Sequence, residues 1–238
     1  MLSPVTEPNR AGVPAAGPAQ VGFFATTIGK KIVMAVTGVI LCGFVLGHMI
    51  GNLQAFAPDG GAALDAYGAL LRHLGHGMAL WVARAGLLLA TALHIWAFVS
   101  LFNLNRRARP QGYRVTDYQE ATLASRAMKV TGPILLVFIV YHLLHMTTGT
   151  VHPQFEEGRV YHNLISGLSV LWVALFYLVA MAALALHLWH GTWSMLQTLG
   201  ASHPRFNPWR KRLATAFTLV VCLGFAIVPV AVLVGWIR

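Results

Sequence analysis

The sequence predicts an all-α membrane protein with five transmembrane helices. Composition is the first reason: the 238-residue chain is 57% hydrophobic and only 10% charged, with a mean hydropathy of +0.65, outside the range of soluble globular domains. Run length is the second, because five stretches each supply the roughly 20 apolar residues needed to cross about 30 Å of hydrocarbon. The third is that the basic residues cluster at alternate ends of those stretches.

Residues 1–27, with Pro4, Pro8, Pro14 and Pro18 among small and polar residues, lack the apolar centre and cleavage pattern of a secretory signal and read as a flexible tail. The membrane domain is expected over 28–238. Thr26 and Thr27 precede "IGKKIVMAVTGVIL" and can cap the first helix. Spans are predicted near 30–56, 79–104, 129–151, 162–199 and 211–237, the fourth long enough to tilt or to project beyond the membrane.

Of the 17 Lys and Arg, all but Arg72, Arg84, Arg159 and Arg238 fall on one side of these spans. Basic loops resist translocation, so the N-terminus and the loops after the second and fourth spans are expected in the cytoplasm of a bacterial inner membrane. The formal charge of +10 is then chiefly a topology signal. Nucleic-acid binding is disfavoured despite a pI near 10.3, because the cations flank spans and form no separate module. Cys42 and Cys222 lie within spans and no C-x-x-C-H occurs, which excludes thioether-linked haem, a cysteine-held iron–sulfur cluster and a disulfide framework.

Histidine carries the functional signal. His48, His94, His142 with His145, and His187 with His190 lie in the first four spans, and the fifth has none. Polar groups in a membrane interior are costly and usually functional. One such His is as easily a packing device, but four spans each carrying one point to a shared purpose. Lys31 precedes His48 by 17 residues and Lys129 precedes His142 by 13, about 25 and 20 Å of helix, which puts both in the outer half. His94 lies 12 residues before Arg106 and His187 lies 13 before Gly200, on helices running inward, so these two fall in the inner half.

Imidazoles facing one another at two levels are a ligand set for two stacked bis-histidine haems, inside a bundle of four of the five helices. The neutral Nε2 can donate to iron while Nδ1–H bonds a carbonyl one turn back. Zinc is the alternative metal, but it prefers three or four ligands at one level and these spans offer no acid. Gly86 and Ala90 precede His94 at steps of four, and Ala183 and Gly191 flank His187 likewise, leaving a shallow groove for a flat ring. His187 is therefore preferred to His190, which is left a secondary role near a propionate or a quinone. His142 is preferred to His145 as the deeper of the two. The Gly43, Gly47, Gly51 ladder suits either a groove or close helix packing.

The segments "FVLGHMIGNLQAF", "ALHIWAFVSL", "VYHLLHM" and above all "LHLWHGTWSMLQTLG" resemble the cytochrome b membrane-anchor subunit of succinate dehydrogenase and fumarate reductase, of the single-chain, five-helix, two-haem type. The resemblance runs from about residue 26 to the C-terminus. It implies axial ligands at His48, His94, His142 and His187, with one haem b held by the outer pair and one by the inner pair. It also implies a flavoprotein that oxidises succinate and an iron–sulfur subunit docked on the cytoplasmic face. Electrons would pass through the inner and then the outer haem to a quinone, by the family's habit a menaquinone.

The chain itself lacks a glycine-rich nucleotide fingerprint, and its loop around 105–128 is too short for a flavin or dicarboxylate site. Arg106, Arg107, Arg109 and Arg114 in that loop serve either docking or topology. Asp59, Asp65, Arg72, His73 and His76, in the outer loop, are candidate quinone or proton-exchange residues, or simply a solvated loop. Some family members carry a glutamate two residues before the fourth-helix ligand; here that position is Ala185, so no carboxylate relay is expected there. The competing classes are a two-haem cytochrome b serving a hydrogenase or formate dehydrogenase, and a haem-free transporter using histidines as proton relays.

Overall fold

The computed structural model describes residues 22–108 and 123–238. Most of the N-terminal tail, together with Arg109 and Arg114 of the basic loop, lies outside the described residues. All regular structure within them is helical.

Helix α1 (Thr27–Leu53) begins where Thr26 turns extended and its hydroxyl oxygen accepts the Gly29 amide at 2.9 Å, satisfying one of the free donors of the first turn. Helices α3 (Met78–Arg107), α4 (Leu123–His142), α6 (Leu171–Thr198) and α7 (Asn207–Leu233) complete five elements long and apolar enough to cross a membrane. Helix α1 packs against α3, α6 and α7, and α6 also packs against α4 and α7, whereas α3 and α4 barely touch. Going round the interior, the order is α3, α1, α6, α4, with α7 outside against the α1–α6 seam. That seam is closed by Leu188, Val221 and Cys222, and Trp189 Nε1 of α6 donates to Thr215 Oγ1 of α7 at 3.0 Å. Large apolar side chains such as Val82, Leu88, Val137, Val179 and Leu223 remain exposed on the outside, as lipid-facing residues do.

Two departures from the predicted spans shape the end opposite the basic residues, here termed the capped end. The predicted run 162–199 is two helices, α5 (Val160–Leu168) and α6, because Val170 is extended between them and the Ser169 amide and hydroxyl both donate back to the Ile165 carbonyl. The loop after the first span contains helix α2 (Ala62–His73). At 12 residues it is too short to span, and its Gly-rich flanks hide its start. Asp59 supplies that start, accepting the Gly61 and Ala63 amides at 3.1 and 2.8 Å. Helices α2 and α5 lie across the bundle: Asp65 Oδ1 accepts the Tyr161 amide at 2.8 Å, and Gly61, at φ +93°, leaves the Tyr161 ring room where any side chain would collide. The largest buried cluster, which includes Leu64, Leu168, Tyr177 and Val232, sits under this cap.

The third span also ends differently from the prediction. After His142 the α-helix opens into a π turn over Leu143–Thr147, closed by the Thr148 amide donating to Leu143 O. The turn carries His145 into the protein, where it is 2% exposed.

Candidate functional site

The four-helix interior brings the histidines together in twos. His94 on α3 faces His187 on α6 with ring centroids 6.4 Å apart and planes inclined at 52°. His48 on α1 faces His142 on α4 at 5.8 Å and 76°. Each pair spans a diagonal of the bundle. Along α6, Tyr177 marks the level of His142, so the two pairs are separated by ten residues of helix, about 15 Å.

Hydroxyl groups set the tautomers at the basic level. Thr37 Oγ1 donates to Val33 O at 2.8 Å and lies 3.1 Å from His94 Nδ1. A hydroxyl has one hydrogen, and with it directed at the helix carbonyl the oxygen acts as acceptor towards His94. Thr131 repeats the arrangement: Oγ1 donates to Ala127 O at 3.1 Å and lies 3.4 Å from His187 Nδ1. This arrangement favours hydrogen on Nδ1 of both rings, with Nε2 as the free lone pair. The partners are threonines from neighbouring helices, not the carbonyl one turn back expected from sequence.

At the capped level, Tyr177 Oη lies 3.1 Å from His142 Nδ1 and 3.0 Å from His145 Nδ1. One imidazole donates to the phenol oxygen and the phenol hydrogen goes to the other. Phe44 stacks on His48 at 5.4 Å and Phe138 on His142 at 5.6 Å, fixing both rings from their outer faces.

Two facing imidazoles whose Nε2 atoms are free can share one electron-pair acceptor placed between them. Imidazoles on opposite sides of one metal ion, each nitrogen about 2.0–2.1 Å from it, have centroids about 6 Å apart, which both pairs satisfy. Among the described residues no three His, Cys, Asp or Glu side chains converge as a metal cage. Several glycines on the histidine-bearing helices leave open space. A side-chain carbon added at Gly43, Gly47, Gly86 or Gly191 would meet no atom within 4 Å, while at Gly38 and Gly132 it would meet His94 and His187 at 3.7 and 3.9 Å. Gly51, by contrast, is packed against the Tyr67 ring, so the first-helix ladder divides into two open positions and one of close packing. The residues present therefore fit two bis-imidazole haems.

His145 and His190 stand apart from the facing pairs. His145 stacks on His152 at 4.6 Å, and Gly167 gives both rings room: a carbon there would sit 2.7 Å from His145 Cε1 and 3.1 Å from His152 Cε1. His152 Nε2 bonds Ser166 Oγ at 3.1 Å, and burial holds its pKa below the usual imidazole value. His190 lies beside Trp193, at 6.0 Å between centroids, with Nδ1 buried and unpartnered.

The loop residues singled out for quinone chemistry are scattered across the cap. Asp59 and Asp65 have carboxylate oxygens engaged by backbone amides, Arg72 Nη2 donates to Gly158 O at 3.1 Å, and His73 and His76 are exposed. No described hydrogen bond joins any two of the five. The orienting residues Thr37, Thr131 and Tyr177 were missed from sequence, where a lone hydroxyl in an apolar run looks like helix filler.

The described residues form a polytopic helical bundle that encloses two stacked, diagonally facing imidazole pairs. Residues 103–228 match the family profile of the succinate dehydrogenase/fumarate reductase transmembrane subunit. The chain belongs to that family and is a multi-pass membrane subunit of a complex with soluble partners. The match covers His142 and His187 and ends short of His48 and His94. Comparison with curated proteins and with solved structures gave no match.

Proposed function

We propose that this chain is the di-haem cytochrome b anchor of a succinate:quinone oxidoreductase, with the basic end and N-terminus on the cytoplasmic side of a bacterial inner membrane. The observation that carries the reading is the pair of facing imidazole couples, in which hydroxyl groups hold Nδ1 of His94, His187 and His142. Two b haems, held by His94 with His187 and by His48 with His142, would supply one-electron relays between an iron–sulfur subunit at the basic end and membrane quinone. Thr37, Thr131 and Tyr177 fix ring orientation and raise ligand basicity. Phe44 and Phe138 exclude water from the imidazole faces. Arg106 and Arg107 at the end of α3 are exposed and offer a basic docking face for the soluble subunits. Menaquinone is the proposed acceptor, near the capped end, with Asp59, Asp65, Arg72, His73 and His76 as candidates for contact or proton exchange there.

Extraction in mild detergent tests this reading. Recovery with a flavoprotein and an iron–sulfur protein, and a b-type absorption band that appears on adding succinate, is the expected result. Recovery with a hydrogenase or formate dehydrogenase, or a chain free of any b-type band, contradicts it.

A further inference from the structure

Arg210 is the fourth residue of α7 and is 5% exposed. Its Nη2 donates to Asn207 Oδ1 at 2.7 Å, but Nε and Nη1 are buried without a partner. The ring of Trp193 lies against it, 5.6 Å from the guanidinium carbon, and the indole Nε1 of Trp193 is buried and unpartnered as well. Lys211 Nζ approaches the same ring at 5.9 Å. A permanent charge is rarely buried without a counter-ion, and the four acids among the described residues, Asp59, Asp65, Glu156 and Glu157, all belong to the opposite, capped end. Among the described residues no anion lies beside this guanidinium.

Its position indicates which anion. Trp193 is six residues beyond His187 on α6, about 120° round the helix, on the edge that turns to α7 and away from the His94–His187 couple. Around it, Phe206 and Trp209 are 56% and 66% exposed, and Arg205, Lys211 and Arg212 are exposed. Exposed aromatics mixed with cations mark the headgroup layer, and a basic pocket between spanning helices at that depth suits a lipid phosphate. The positive end of α7 adds to the same field.

We propose that Arg210, Trp193 and Lys211 bind the phosphate of an anionic phospholipid between α6 and α7 at the basic end. The guanidinium provides Nε and Nη1 as a planar two-donor fork for two phosphate oxygens, the indole N–H provides a third donor, and Lys211 provides charge from the rim. The proposal does not depend on the haem assignment.

The test uses the intact complex, purified in mild detergent and transferred to nanodiscs of phosphatidylcholine with or without phosphatidylglycerol. Native mass spectrometry should find one fewer retained phosphatidylglycerol per chain in Arg210→Gln than in the unaltered protein, with Arg210→Lys intermediate. Phosphatidylglycerol should raise the thermal midpoint of the unaltered complex and leave that of Arg210→Gln unmoved. Should Arg210→Gln fail to assemble, Trp193→Phe removes only the indole donor and should still weaken lipid retention. Equal lipid retention in all variants overturns the proposal. So does an Arg210→Gln complex that keeps its lipid but loses a haem or shifts a haem potential, since the guanidinium would then serve a cofactor carboxylate. Finally, if Asp117→Asn with Glu120→Gln reproduces the thermal loss of Arg210→Gln at unchanged lipid content, the counter-ion is the chain's own and the proposal fails.

Discussion

Replacing Thr37 with Val tests the tautomer argument at its most exposed joint. Val keeps the branched shape but puts a methyl where the hydroxyl stands, so the helix carbonyl of Val33 loses a donor and His94 Nδ1–H loses its acceptor. Outer-shell partners of metal-bound histidines are typically worth 10–100-fold in affinity, about 1.4–2.7 kcal/mol. Thr37 stands 3.1 Å from its imidazole and Thr131 stands 3.4 Å from His187, and hydrogen bonds weaken with length. Thr37→Val should therefore fall near the upper part of that range and Thr131→Val near the lower. The assay is haem retention during incubation with excess apomyoglobin as acceptor, combined with a redox titration that separates the two components. Only the component held by His94 and His187 should be released faster and shifted in potential. Equal effects on both components, or a larger effect from Thr131→Val, would refute the assignment of Nδ1–H to these hydroxyls.

His187→Ala, like His94→Ala, should halve the haem content measured by pyridine haemochrome, because the two levels share no ligand across about 15 Å of helix; His190→Ala should leave it unchanged. Gly167→Ala pushes a methyl to within 2.7 Å of the His145 ring and should cost about 1–3 kcal/mol, visible as a lower thermal midpoint. Burial keeps His152 neutral in the folded cap, so the unfolded chain binds that proton more readily. Stability of the cap should then fall as pH drops below about 6.5, the usual imidazole value, and amide-exchange protection factors across 150–168, corrected for the intrinsic pH dependence of exchange, should fall in that range, less so in His152→Gln.

The membrane helices and the two histidine levels were legible because both obey simple arithmetic: apolar run length for the first, rise per residue for the second. Pairing His48 with His142 and His94 with His187 follows from depth and from opposite helix direction. Helix α2 and the break between α5 and α6 were not legible, since Pro58, Asp59 and the glycines after them read as a solvated loop, the break carries no proline, and each depends on long-range contacts: Asp65 with the Tyr161 amide for one, and burial of Leu168 under the cap for the other. The same holds for Thr37, Thr131 and Tyr177. Each acts on a histidine 32 to 57 positions away in the chain, a separation with no periodic signature. His145 was displaced from its helical register by a π turn, which local propensity does not announce.

The central claim is tested most directly by counting haem per chain in the complex isolated without denaturation. The facing imidazole couples predict two b-type haems for each copy of this subunit. A value of one, or none, in a complex that retains its soluble partners would contradict the claim.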